Sequence, residues 1–137
     1  MATGKALCGN AVGTNTANQI QFYNQSNSKL LTIHNYGIRI WTADLINKKI
    51  QFQDVNMGQI KRVYQCCVID PTDSTAYLGT KTGDLVEISL ERALFKRFGP
   101  IKRLFSQGVN SVNLLANGDL LIGAGDGTIA KISSKDM

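Results

Sequence analysis

Asn35-Tyr36-Gly37-Ile38-Arg39-Ile40-Trp41 reads as a tight turn opening an alternating strand, with Ile38 and Ile40 on one face and Arg39 and Trp41 on the other. The pattern returns twice, as Thr82-Gly83-Asp84-Leu85-Val86-Glu87-Ile88 and as Asp126-Gly127-Thr128-Ile129-Ala130-Lys131-Ile132. Gly37 to Gly83 is 46 residues, and Gly83 to Gly127 is 44. Short strands recurring at such a period are the sequence signature of β-propeller blades.

Outward from each glycine turn the repeats overlay. An inner strand comes first: Gln19-Ile20-Gln21-Phe22, then Cys66-Cys67-Val68-Ile69, then Ser111-Val112-Asn113-Leu114. Each runs into a polar turn and a second strand, at 29–33, 75–79 and 119–123, before the glycine turn and the third strand. A fourth, more polar strand is expected near 48–52 and 93–98, and the third unit stops after three. The short apolar piece at 5–8 fits the outer strand of a preceding blade. The expectation is an all-β chain: an incomplete propeller over 1–137, with about three four-stranded antiparallel blades at 19–52, 66–98 and 111–132, the last lacking its outer strand. Propellers close with at least about four blades. Three would leave two apolar flanks bare, so the chain reads as a fragment of a longer propeller or as one that another chain completes.

Composition agrees with one folded unit. With 137 residues, 43% hydrophobic and 18% charged, the chain can bury a core of its own. Fifteen lysines and arginines against ten acids give +5, a bias toward acidic partners. No apolar run approaches the ~18 residues of a membrane span, and the first eight residues lack a secretory-signal layout. Three cysteines cannot all pair within the chain. Cys66 and Cys67 would point to opposite faces of one strand, one of them into the core, and reduced thiols in a cytosolic compartment are the natural reading.

Catalytic signatures are missing. His34 is the only histidine, so neither a triad nor a zinc set is expected, and it reads as a turn or core residue. Gly123-Ala124-Gly125-Asp126-Gly127 precedes a strand rather than a helix, which suits a hairpin turn with glycines at positive φ and not a nucleotide loop. No enzyme activity and no cofactor are expected.

Charge is patterned. Arg92, Lys96, Arg97, Lys102 and Arg103 fall within one acid-free run, and Lys61 and Arg62 hold the matching place one repeat earlier. On outer strands and connections these seven should be exposed and could meet an acidic protein, or simply block edge-to-edge pairing. Phe95, Phe98 and Phe105 lie among them, as in a single-stranded nucleic-acid platform, but their spacing also fits packing between blades.

The units resemble WD repeats of a degenerate kind. Trp41 stands at the tryptophan position but is followed by Thr42, no Gly-His occurs, and Asp126 fits the turn aspartate where the other units hold Asn35 and Lys81 or Thr82. The family's Asp–His–Ser–Trp network is therefore incomplete, and cohesion should rest mainly on apolar faces. Segments such as Gly58-Gln59-Ile60-Lys61-Arg62, Tyr77-Leu78-Gly79-Thr80 and Phe105-Ser106-Gln107-Gly108-Val109 are further similar to the middle blades of the cilia- and flagella-associated protein 52 family. That resemblance implies a non-enzymatic axonemal scaffold inside doublet microtubules, with tubulin and neighbouring inner proteins as partners. A generic WD-repeat adaptor and an RNA-binding module are the competing readings.

Overall fold

The computed structural model describes residues 16–137, so the piece at 5–8 lies outside the described residues. Eleven strands form three antiparallel sheets, and no helix occurs among the described residues. The first sheet joins β1 (Ala17–Phe22), β2 (Lys29–His34), β3 (Gly37–Asp44) and β4 (Lys49–Asp54) in sequence order. The second joins β5 (Tyr64–Ile69), β6 (Thr75–Thr80), β7 (Leu85–Ser89) and β8 (Leu94–Gly99) in the same order. The third holds β9 (Val109–Leu114), β10 (Asp119–Ala124) and β11 (Ile129–Ser133). The array is unclosed, as the fold class required.

Register follows the repeat. Leu30 faces Trp41, Ala76 faces Ile88, and Leu120 faces Ile132, so the second and third strands of each blade superpose pair for pair. The glycine turns do not superpose. Two residues, Asn35 and Tyr36, separate the paired His34 and Gly37, whereas the Thr80 amide reaches the Asp84 carbonyl at 3.1 Å over a loop of three. The third turn matches the second, with Ala124 N to Thr128 O at 2.9 Å. A three-residue loop needs a left-handed residue, supplied by Gly83 (φ 105°) and Gly127 (φ 89°). Gly37 instead opens a strand, and in the Gly123–Gly127 cluster only Gly127 takes positive φ.

The second blade is covered on both faces, which explains why every residue of β6 is buried. Side chains alternate between two cores. Leu31, Ile33 and Ile38 of the first blade meet Tyr64, Cys67, Leu78, Val86 and Ile88 in one. Cys66, Tyr77 and Leu85 meet Val109, Val112, Leu120 and Ile122 in the other. Fully burying one such side chain contributes about 1.5–3 kcal/mol. Cys66 and Cys67 thus do point to opposite faces, but both are buried, because each face of β5 has a neighbouring blade. Among the described residues the outer flanks have none: Ile20 is 60% exposed on β1 and Ile129 is 77% exposed on β11.

Blades are stitched by polar ties as well as by core. Gln19 acts as a strand residue with its side chain: its Oε1 accepts from Cys67 N at 2.9 Å and its Nε2 donates to Cys67 O at 3.3 Å. At the ends of the same inner strands, Asp73 accepts from the amides of Asn24 (2.8 Å) and Gln25 (2.7 Å) in the first blade's turn.

Candidate protein-interaction surface

Antiparallel pairing sends the crossovers 55–63 and 100–108 to the same sheet ends as the β2–β3, β6–β7 and β10–β11 turns. One hydrogen bond fixes this arrangement in every blade. Asn35 N donates to Thr16 O (3.1 Å), Lys81 N to Val63 O (2.9 Å) and Gly125 N to Gly108 O (2.9 Å). The crossovers and turns at these ends carry five basic residues (Lys61, Arg62, Lys81, Lys102 and Arg103) against the acids Asp84 and Asp126. The turns at the opposite ends carry Lys48, Arg92 and Lys135 against Asp70, Asp73, Glu91 and Asp136. Positive charge therefore concentrates at the crossover ends.

Arg62 is built into this region. Its Nε pairs with Asp84 Oδ2 at 3.1 Å, its Nη1 donates to the Lys61 carbonyl at 2.9 Å, and its guanidinium lies 5.5 Å from the Phe98 ring centre. Asp84 is buried and also accepts from the Thr80 hydroxyl, so the cation and the threonine together satisfy a carboxylate that burial would otherwise penalise. Beside this ion pair, between the first two blades, lies a groove of about 760 Å³. Tyr36, Arg39, Ile60, Lys61, Arg62 and Thr82 line it. Arg39 is held there by Asp54 (3.0 Å) and by the Phe52 ring (4.8 Å), while Lys61 is exposed.

The basic run from Arg92 to Arg103 does not form one patch. Lys96 (2.7 Å) and Arg97 both pair with Glu87, whose side chain is 6% exposed, and Arg97 also donates to the carbonyls of Ser134 and Lys135. Burial opposes ionisation of Glu87, but the hydrogen bonds and charges of the two cations outweigh it and hold its carboxyl below the ordinary value. The expectation of seven exposed charges is therefore corrected for Arg62 and Arg97, which are only half-buried, while Lys96 is exposed as expected but paired with an internal acid. Arg92 lies in the β7–β8 turn, which is tied to the first crossover through Asn56 N to Ala93 O at 2.8 Å. Lys102 and Arg103 lie at the other end of β8, exposed, with Arg103 against an apolar hollow of about 510 Å³ that includes Leu104 and Ile132.

Lys81 was not singled out in the sequence. Its place in the turn equivalent to Asn35 was the available signal, because that turn meets the crossover carrying Lys61. The phenylalanines among the bases are inward: Phe95 and Phe98 pack on the first core with ring centres 6.2 Å apart, and Phe105 packs on the second. His34 is buried with Nε2 at 2.8 Å from Thr32 Oγ1. Burial pushes the Cys66 thiol up to about 11 and the Cys67 thiol up to about 12, so neither is poised as a nucleophile.

No protein-family model matches the chain. Over 129 residues it is 42% identical to cilia- and flagella-associated protein 52 of Chlamydomonas reinhardtii, an alignment covering 94% of this chain and 21% of the relative. The Homo sapiens protein of that name is 37% identical over 127 residues, covering 90% and 20%. The chain thus spans about a fifth of the length of the curated relatives it matches. Among solved structures, the WD40 β-propeller domain of Doa1 superposes with a TM-score of 0.67 at 16% identity, covering 88% of this chain and 38% of that one. The β-propeller domain of Cps50 (Swd1) superposes equally, at 0.67 and 13% identity, covering 84% and 38%. With its unclosed antiparallel sheets and glycine-turn period, the chain is a run of WD40 propeller blades, homologous over nearly all its length to cilia- and flagella-associated protein 52.

Proposed function

We propose that the chain is a non-enzymatic WD-repeat scaffold of the ciliary or flagellar axoneme, binding tubulin and neighbouring inner proteins of the doublet microtubule. The similarity to cilia- and flagella-associated protein 52 carries this reading, since an alignment covering 94% of the chain takes in the crossovers as well as the blades. The concentration of Lys61, Lys81, Lys102 and Arg103 at the crossover ends supports an acidic protein partner. Further blades, from the same longer polypeptide or from a second chain, cover the bare flanks at Ile20 and Ile129 and complete the ring.

Two measurements test the proposal. A tagged chain expressed in motile ciliated cells should stay with the axoneme after detergent extraction. Purified chain should co-pellet with microtubules and be released as salt rises, as expected for charge-driven contact. Diffuse cytoplasmic signal together with no pelleting at low salt would overturn it.

A further inference from the structure

The groove between the first and second blades has a feature that a merely solvated surface lacks. Asp84 takes Nε of Arg62 and the Lys61 carbonyl takes Nη1, so the guanidinium is held in place at the groove it lines. Preorganised in this way, an arginine binds a carboxylate without the entropy cost of ordering its own side chain. Lys61 adds an exposed ammonium alongside, and Lys81, next in sequence to the lining residue Thr82 and with its amide bonded to Val63 O, adds positive charge beside the groove. Tyr36, 80% exposed, and Ile60 supply apolar lining on the same groove. A volume of about 760 Å³ falls within the ~300–1,000 Å³ usual for ligand sites.

We propose that this groove receives an acidic, partly apolar segment of a protein partner, its carboxylates held by Arg62 and Lys61 and its apolar side chain packed against Tyr36 and Ile60. The proposal rests on the reading of the chain as a protein-binding element of the axoneme and names where that binding occurs. Nucleic acid is disfavoured because Phe95, Phe98 and Phe105 pack against the cores, which leaves Tyr36 as the one exposed aromatic of the groove and no succession of rings for stacked bases. Lys96 and Arg97 take no part, since neither lines the groove.

The test measures binding of a short fluorescein-labelled peptide of alternating glutamate and leucine to the full chain by anisotropy. The double variant K61E/K81E should weaken binding about tenfold or more. The control K48E/K49E makes the same charge change at the end of β4 remote from Asp54, roughly 17 Å along the strand, and should leave affinity within about twofold. Thermal melts confirm that both variants fold, as expected for exposed lysines. Equal weakening by the two variants, equal binding of a glutamine–leucine peptide, or displacement of the peptide by oligouridine more readily than by unlabelled peptide would each overturn the groove. Wild-type chain that takes up the peptide but does not pellet with microtubules overturns the axonemal reading and supports the groove. Chain that pellets but takes no peptide overturns the groove alone.

Discussion

The indole Nε1–H of Trp41 donates to Thr32 Oγ1 at 2.7 Å across the β2–β3 pair, and the same oxygen lies 2.8 Å from His34 Nε2. With the ring proton on Nδ1, the three side chains form a relay from indole through hydroxyl to imidazole. The positions superposed on Thr32 and Trp41 are apolar in the other blades, Leu78 with Ile88 and Ile122 with Ile132, and those on His34 are Thr80 and Ala124. The first blade keeps part of the polar network that WD repeats use, without its aspartate and with the histidine on the second strand, while Asp126 holds the turn-aspartate place in the third. Removing the central hydroxyl by Thr32→Val should strand a buried indole donor and cost about 1–3 kcal/mol. Adding Trp41→Phe should cost less than the two single changes summed, because the stranded donor goes with it. Urea unfolding of the single and double variants measures both effects.

Glu87 ties β7 to β8 through Lys96 and Arg97, and Arg97 carries the tie on to the carbonyls that follow β11. Glu87→Gln should cost about 1–3 kcal/mol by leaving two cations without their anion. The acid limb of stability should change as well. Since the folded carboxyl titrates below its ordinary value of 4.5, its contribution is complete above that value and is lost as pH falls through the lower folded one. Thermal melts from pH 7 downward should show a shallower acid decline in the glutamine variant.

Gly83 and Gly127 occupy equivalent turns with different surroundings. A Cβ at Gly83 would be driven into the Phe105 carbonyl, while at Gly127 it would meet nothing within 4 Å. Gly127→Ala should therefore cost only the left-handed backbone, about 1–2 kcal/mol. Gly83→Ala should add about 1–3 kcal/mol of overpacking and break the bond from Phe105 N to Gly83 O, at 2.8 Å in the native chain. Differential scanning calorimetry of the pair should separate them by several degrees. Equal midpoints would contradict the close approach of the crossover.

Asp73 should matter to blade docking rather than to its own hairpin. Asp73→Ala removes both carboxylate oxygens from the Asn24 and Gln25 amides and should cost about 1–3 kcal/mol. Hydrogen exchange should speed up at those two amides in the first blade, while the buried strand β6 keeps its protection.

How much was readable in advance depends on how local the cause is. The glycine-turn period and the two-residue alternation of Ile38 and Ile40 are local consequences of strand geometry, and they located the blades. That one of Cys66 and Cys67 would enter a core was equally legible. That both do was not, because it depends on sheets covering both faces of β5. Among the basic residues, Lys61, Lys102 and Arg103 stay exposed, as their connecting segments suggested. Arg62, Lys96 and Arg97 do not behave as free charges, since Asp84 and Glu87, which engage them, sit nine or more residues away in segments that only folding brings alongside.

The sequence by itself determined the repeat and the all-β architecture, because turn chemistry and side-chain alternation are carried within a few consecutive positions. Tertiary structure alone decided which cations remain available to a partner. It also decided that Lys81 joins Lys61 beside a groove, and that Asn35, Lys81 and Gly125 share one hydrogen bond per blade. Those outcomes depend on pairings between strands and crossovers far apart in the chain, whose electrostatic partners and distances exist only once the blades have packed.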